Sequence, residues 1–284
     1  MRRGIDAIGE PRHGLAMLTR TRTRIVEKPW GITNIPSAFG DFAGRRIGEI
    51  WFEDPDGCDA PLMVKFLFTS ERLSIQVHPD DAAARKAGFP CGKDECWLVL
   101  DARPGAKLGI GLKENSDIDR LRRAALDGSI AEMIDWRPAR TGDFLYNPAG
   151  TIHAIGAGLT VVEIQQNVDC TYRLYDYGRG RELHLAAGLA AAKAGCHDDT
   201  RDSWVGADDN RELVSGPYFH LLHLSGPEAR ALLPEGKGRF SFVPLSAGCT
   251  AAGEAVELGE CVILDDAGAI ALAPRARALL CWPA

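Results

Sequence analysis

Four side chains that could together hold one metal ion stand on three short segments of this 284-residue chain: Gln76 and His78 in LSIQVHPDD, Glu95 in GKDECW, and His153 in GDFLYNPAGTIHAIG. Two imidazoles, one carboxylate and one neutral amide form a mixed nitrogen and oxygen donor set for a single divalent ion. With one anionic ligand, such a complex keeps net positive charge and acts as a strong Lewis acid. Zn2+ suits these donors, and cobalt, manganese or iron also accept them. A lone histidine is usually a hydrogen-bonded core residue and a lone glutamine an ordinary strand residue, so the reading depends on the four acting together.

The elements that must position them are strands and turns. LSIQVH alternates Leu73, Ile75 and Val77 with Ser74, Gln76 and His78, and strand residues two apart share a face. Ser74, Gln76 and His78 therefore point the same way. Pro79 then breaks the ladder, and Asp80 or Asp81 can cap a short helix over AAARKAG. Cys96, next to Glu95, should face the other side of its strand and pack behind the site.

Gly142, Pro148, Gly150 and His153 stand in the order G-x5-P-x-G-x2-H, the second half of the cupin motif, in which a tight turn delivers a histidine into a small β-barrel. The first half departs from the usual form: Gln76 replaces the first histidine of H-x-H, and Glu95 comes seventeen residues after His78, with a loop and helix in the gap. With KDECW, VVEIQQNVDCTYRLYDY and ELHL in this order, the chain resembles type I mannose-6-phosphate isomerase in its short bacterial form. The resemblance runs from Lys28-Pro29-Trp30-Gly31 to Leu185 and is weaker beyond.

The resemblance implies an aldose-ketose isomerase that interconverts mannose 6-phosphate and fructose 6-phosphate, moving a proton between C1 and C2 through an enediol. Such a reaction needs a polarised carbonyl and a base beside a weak carbon acid. The implied metal ligands are Gln76, His78, Glu95 and His153. Arg173 in TYRLYDY matches the arginine treated as catalytic in the family, and Ser74 is implied in phosphate binding. A fixed guanidinium at Arg173 can hold an enediolate oxygen or grip a phosphate.

Glu163 in LTVVEIQQ is the leading candidate for proton transfer. In a hairpin turning at Gly156-Ala157-Gly158 it would fall near Thr151, and burial among Val161, Val162 and Ile164 would raise its proton affinity. Lys93 shares a strand face with Glu95 and can act on the sugar or exchange a proton itself. Lys65 in PLMVKFLF is either a pocket cation or an edge residue reaching solvent. Each has a plainer reading: a surface ion pair with Asp169 or Asp176 for Arg173, an arginine-paired carboxylate for Glu163, and packing or capping for His184.

Composition sets the frame. At 45% apolar and 25% charged, with 31 glycines and 16 prolines, the chain reads as mainly β: many short strands joined by turns. A net charge of −6 argues against nucleic acid or an anionic membrane as partner, so a sugar phosphate must be met by local lysine and arginine. Eight cysteines without CxxC spacing, and the lack of a signal-peptide pattern or a membrane-length apolar run, point to reduced thiols and a cytoplasmic setting.

Residues 1–20 read as a poorly ordered basic extension. Residues 21–194 read as a metal-binding cupin-type barrel of jelly-roll form, with a helical insertion near 116–135 capped by Ser116 and Asp119, and a second helix over 181–194. After a polar connector at 195–210, residues 195–284 read as a second, metal-free cupin-like barrel. There His220 and His223, at an odd spacing, should face opposite sides. Asp198, Asp199 and Asp202 read as a solvated acidic face. Two other functions fit a metal cupin: a redox-metal oxygenase, and a sugar-binding protein that keeps the metal without turnover. The lysine and arginine set around Gln76 favours a polyol phosphate over the first, and the intact Lys93, Glu163 and Arg173 speak against the second.

Overall fold

The computed structural model describes residues 16–55 and 60–284. Two sheets face one another in the first unit. One has seven strands, in the order Ser203–Trp204, Asp143–Asn147, Glu95–Ala102, Leu159–Gln166, Leu62–Phe68, Ile47–Glu53 and Arg22–Ile32; the other has five, in the order Tyr172–Tyr175, Ile75–Val77, His153–Ile155, Lys107–Leu112 and Ile134–Pro138. The remaining strands form a six-stranded and a three-stranded sheet in the C-terminal half.

The near-continuous apolar runs have a physical cause, since strands buried on both faces need not alternate with polar residues. In the central strands of the seven-stranded sheet, Val64, Phe66, Cys96, Leu98, Val162 and Ile164 pack outward into a core shared with Phe219, Leu221, Val243, Leu279 and Cys281 of the C-terminal half. Cys96 thus packs behind the site, as expected. Alternate residues Leu67, Trp97, Val99 and Val161 face inward, against Leu73, Leu108, Ile110 and Ile155 of the five-stranded sheet. Helices cover the outer face of that second sheet, with Leu121, Ala124, Ala125 and Leu189 packed on Ile75, Val77, Ala154 and Leu174. The C-terminal sheets enclose their own core, including Leu224, Phe242, Val262 and Ile270.

Several local expectations are corrected. The insertion is two helices, Ile118–Asp127 and Ile130–Met133, followed by a strand, and the cap is Asp117, which accepts from the Arg120 amide at 2.7 Å. The later helix is shorter than 181–194, spanning Leu185–Ala191. Its expected first residues are irregular instead, because the His184 amide donates to the Arg173 carbonyl and Arg181 pairs with Asp176.

The chain also exchanges partners at both ends of the first unit. Leu18–Arg20, expected as part of a loose extension, pairs with Val262, Ile263 and Leu264 in the C-terminal sheet. Ser203–Trp204, expected in a connector, closes the edge of the first unit's sheet against Asp143 and Phe144. Such short pairings leave no periodicity to read. Residues 1–15 lie outside the described residues. The acidic stretch is not simply a solvated face: Asp202 bonds Arg137, His197 and the Tyr146 amide, while Asp199 pairs with Arg201.

Candidate metal centre and active site

His153, Gln76 and Arg173 lie side by side on three neighbouring strands, because Gln76 is the register partner of both His153 and Arg173. Their side chains share the inward face. Glu95 opens the strand Glu95–Ala102 on the opposite sheet, with Asn147 and Gln165 as its register partners. The two sheets bring ligand atoms of His78, Glu95 and His153 within 4.8 Å of one another. Each imidazole lies 3.4 Å from one Glu95 oxygen, His78 Nε2 from Oε2 and His153 Nε2 from Oε1.

Hydrogen bonds on the far side of each ring decide which nitrogen faces the centre. His78 Nδ1 meets the Cys170 carbonyl and His153 Nδ1 the Thr151 carbonyl, both at 2.9 Å. A carbonyl only accepts, so each Nδ1 carries the proton and each Nε2 lone pair points at Glu95. This is the outer arrangement that orients histidine metal ligands. Burial, then the Lys93 ammonium, push the His78 imidazole down to about 4, and burial lowers that of His153. Two neutral imidazoles and one carboxylate therefore fit a divalent ion. The fourth expected ligand, Gln76, turns its amide nitrogen toward His153 Nε2 at 3.2 Å, while its carbonyl oxygen accepts from Ser74 at 3.2 Å.

Beside this cluster is a cavity of about 270 Å³ lined by residues of both sheets, Ser74, Gln76, Lys93, Glu163 and Arg173 among them. Lys93 joins cluster to cavity. Its ammonium contacts Glu95 closely, lies 3.2 Å from His78 Nε2, and is 3.6 Å from Glu163 Oε1. Burial alone would lower its proton affinity, but Glu163 and Glu95 outweigh burial and hold it above the usual lysine range. For Glu95 burial works toward protonation, and the charge of Lys93 above all reverses it, keeping the carboxyl well below its ordinary range.

Glu163 is placed differently from the expected hairpin. His153–Ile155 and Leu159–Gln166 belong to different sheets, so the turn between them crosses the barrel. The Gly156 amide is bonded to the Lys107 carbonyl and the Gly158 amide to that of Thr69. A Cβ on Gly156 would lie 2.2 Å from the Lys107 oxygen, so only glycine allows the crossing. Glu163 consequently faces Lys65 and Trp97, not Thr151. Its carboxylate lies 3.4 Å from Lys65 Nζ and accepts from Trp97 Nε1 at 3.1 Å. Its partners are lysines and an indole, so neither the arginine pair nor the purely apolar setting is found.

Lys65 is a pocket cation: it is buried in a central strand, with Nζ 4.3 Å from the Trp51 ring. Arg173 makes no ion pair among the described residues, Asp176 being taken by Arg179 and Arg181. Arg173 Nη1 donates to the Glu182 carbonyl, and its buried Nε has no partner. His184 packs near Tyr172 and accepts from the Arg173 amide, a packing role. In the C-terminal half His223 is buried, while His220 stacks on Trp282 at the surface.

Sequence reasoning missed the far wall of the cavity, formed by Lys28, Trp30, Glu49 and Trp51. Lys28 pairs with Glu49 at 3.3 Å, and Glu49 accepts from the Trp51 indole. The available signal was the spacing by two of Lys28 with Trp30 and of Glu49 with Trp51. Asn147 was also missed. It sits between Glu95 and His153, donating to Glu95 Oε1 at 2.7 Å.

No protein-family model matches the chain. It is 36% identical over 209 residues to the mannose-6-phosphate isomerase of Streptococcus mutans, covering 67% of this chain and 66% of that protein. It is 34% identical over 214 residues to YvyI of Bacillus subtilis, which carries the same family name, covering 68% of this chain and 67% of the relative. About a third of each relative's length therefore has no counterpart in the match. Among solved structures, mannose 6-phosphate isomerase of Bacillus subtilis superposes with a TM-score of 0.74 at 24% identity, covering 92% of this chain and 98% of that one. A zinc-bound mannose 6-phosphate isomerase superposes with a TM-score of 0.64 at 12% identity, covering 94% and 99%. Likeness at this level of identity speaks to fold, and these two share the mainly β architecture described above. The sequence matches carry the further conclusion that the chain belongs to the mannose-6-phosphate isomerase family.

Proposed function

We propose that the protein interconverts mannose 6-phosphate and fructose 6-phosphate with one bound divalent ion, zinc fitting its donors. The observation that carries this reading is Lys93, whose ammonium touches Glu95 of the metal set and Glu163 of the sugar-sized cavity. It joins the Lewis-acid site to a candidate base. The zinc-bound relative supports the choice of metal. His78, Glu95 and His153 would hold the ion, with Gln76 a fourth ligand once its amide is turned so that the carbonyl oxygen, now on Ser74, faces the centre; when bound, the ion supplies positive charge to polarise a carbonyl and stabilise a developing oxyanion.

The remaining work falls to side chains. Glu163 takes the proton from C2 of the open-chain aldose as the C1 carbonyl becomes an enediolate, and returns it to C1 as the oxygen on C2 becomes the carbonyl. A second proton passes from the C2 hydroxyl to the oxygen on C1. Arg173 and Lys93 face the cavity as cations for the oxyanion, with spare donors on Arg173. The lining residues comprise five cations, Lys28, Lys65, Lys93, Arg173 and Arg181, against three carboxylates, Glu49, Glu163 and Asp169. Lys28, Lys65, Lys93 and Arg181 are each paired with a carboxylate, so Arg173 is the lining cation without an ion pair among the described residues and the one available to a phosphate. Ser74, Lys65, Lys93 and Arg173 are the proposed substrate contacts.

A cytoplasmic setting fits the same reading. The seven cysteines among the described residues are free, and no described helix is long and apolar enough to cross a membrane. The test is direct: zinc-loaded protein is incubated with mannose 6-phosphate and fructose 6-phosphate is measured. Binding of the sugar phosphate without turnover would leave a sugar-binding protein in place of an isomerase.

A further inference from the structure

Asn147 ends the strand Asp143–Asn147, one residue before Pro148, and stands directly opposite Glu95 in the neighbouring strand. Cross-strand partners on one face meet side by side. Its Nδ2 donates to Glu95 Oε1 at 2.7 Å and lies 3.0 Å from His153 Nδ1. Because the His153 Nδ1 proton goes to the Thr151 carbonyl, the Glu95 contact is the hydrogen bond Asn147 makes. The other Glu95 oxygen is held by Lys93. The carboxylate is thereby gripped at both oxygens and its rotation fixed.

The same residue is an expensive choice for stability. Asn147 is 1% exposed, and its Oδ1 has no hydrogen-bond partner. A buried acceptor left unpaired is destabilising. Asn147 does not line the cavity, so it acts through Glu95.

We propose that Asn147 is a positioning residue that fixes the Glu95 carboxylate, and through it the strength with which the His78, Glu95 and His153 centre holds its metal. The proposal rests on the metal reading given above. Outer hydrogen-bond partners of this kind change metal affinity by roughly 10- to 100-fold.

The test uses Asn147→Leu, close in shape and without the amide, with Asn147→Ala as a second variant. Zinc affinity is measured by competition with a chromophoric chelator, and the melting temperature of each metal-free protein is recorded alongside. The expected result is a zinc affinity lower by roughly 10- to 100-fold in both variants, beyond any change in the melting temperature of the metal-free protein, since either variant leaves Glu95 Oε1 without its donor. A merely structural asparagine would give the reverse pattern, lower stability with unchanged affinity, and so would overturn the proposal. Failure of both variants to fold would also overturn it, by making the residue structural. Wild-type protein that binds no zinc would sink the metal reading itself, an outcome distinct from unchanged affinity in a variant.

Discussion

Lys65 and Glu163 are register partners on adjacent central strands, both buried, with the ammonium 3.4 Å from the carboxylate. Lys93 approaches the same Glu163 oxygen from the segment just before the neighbouring strand Glu95–Ala102, at 3.6 Å. The candidate base therefore sits between two cations, one linked to the metal ligands and one to the aromatic wall at Trp51. Removing one partner of such a buried cluster leaves an uncompensated charge, which makes each member informative when changed singly.

Glu163→Gln keeps shape and removes the base. Turnover is expected to fall by roughly 100- to 10,000-fold, the usual range for loss of a positioned general base, while zinc content and KM for mannose 6-phosphate stay close to wild type. Exchange of the C2 proton with deuterated solvent, followed by NMR, should stop in parallel. Normal exchange in the variant would remove Glu163 from the proton path and shift attention to Lys93.

Arg173 offers a sharper separation of roles. Its Nε is buried without a partner and no carboxylate claims the guanidinium among the described residues, so its donors are available to substrate. Arg173→Ala is expected to lower kcat/KM by at least about 100-fold, comparable to losing a positioned oxyanion donor, with stoichiometric zinc retained. Arg173→Lys should recover little, since an ammonium cannot reproduce the planar fork. Loss of zinc in either variant would instead point to a structural arginine.

How much of this was legible in the chain depended on how locally each feature is encoded. Gln76 and His78 were readable because a strand of period two writes its face directly into the sequence, and His153 because a turn motif precedes it. The partner of Glu163 was not readable. The short loop at Gly156-Ala157-Gly158 looks like a hairpin, and only the amide bonds to Lys107 and Thr69 send the chain to the other sheet. Lys28 and Glu49 escaped notice for a related reason: a lysine or glutamate beside a tryptophan reads as an edge residue until the facing sheet buries it. The broad mainly β class survived such errors because turn-forming residues and apolar strands are spread along the whole chain.

Metal removal tests the centre as a unit. Chelation is expected to abolish turnover and added zinc to restore it. His78→Ala and His153→Ala should each lower zinc stoichiometry well below one per chain, since each removes a neutral nitrogen donor aimed by its own carbonyl contact. Glu95→Gln should do the same while also leaving Lys93 and both imidazoles without their shared carboxylate. Full turnover in thoroughly stripped protein would eliminate the metal-dependent mechanism.

His223 predicts an acid sensitivity located away from the metal. It is buried in the strand Phe219–Ser225, opposite Arg211 and Leu279, and its Nδ1 meets the Asp209 carbonyl at 2.7 Å. Burial is the main cause of its lowered proton affinity; Arg277 and Arg211 add to it, and the Asp209 carbonyl and carboxylate partly offset it. The unfolded chain exposes an ordinary histidine titrating near 6.5. Between that value and the lower folded one the unfolded state binds more protons, so stability is full above about 6.5 and is lost as pH falls through the folded value. His223→Phe cannot take up this proton. Urea denaturation of metal-free protein at pH 7.5 and pH 5 should therefore show a smaller loss of unfolding free energy in the variant than in the wild type, whatever the variant's stability at pH 7.5. Equal losses in the two proteins would mean that the acid sensitivity lies in other groups.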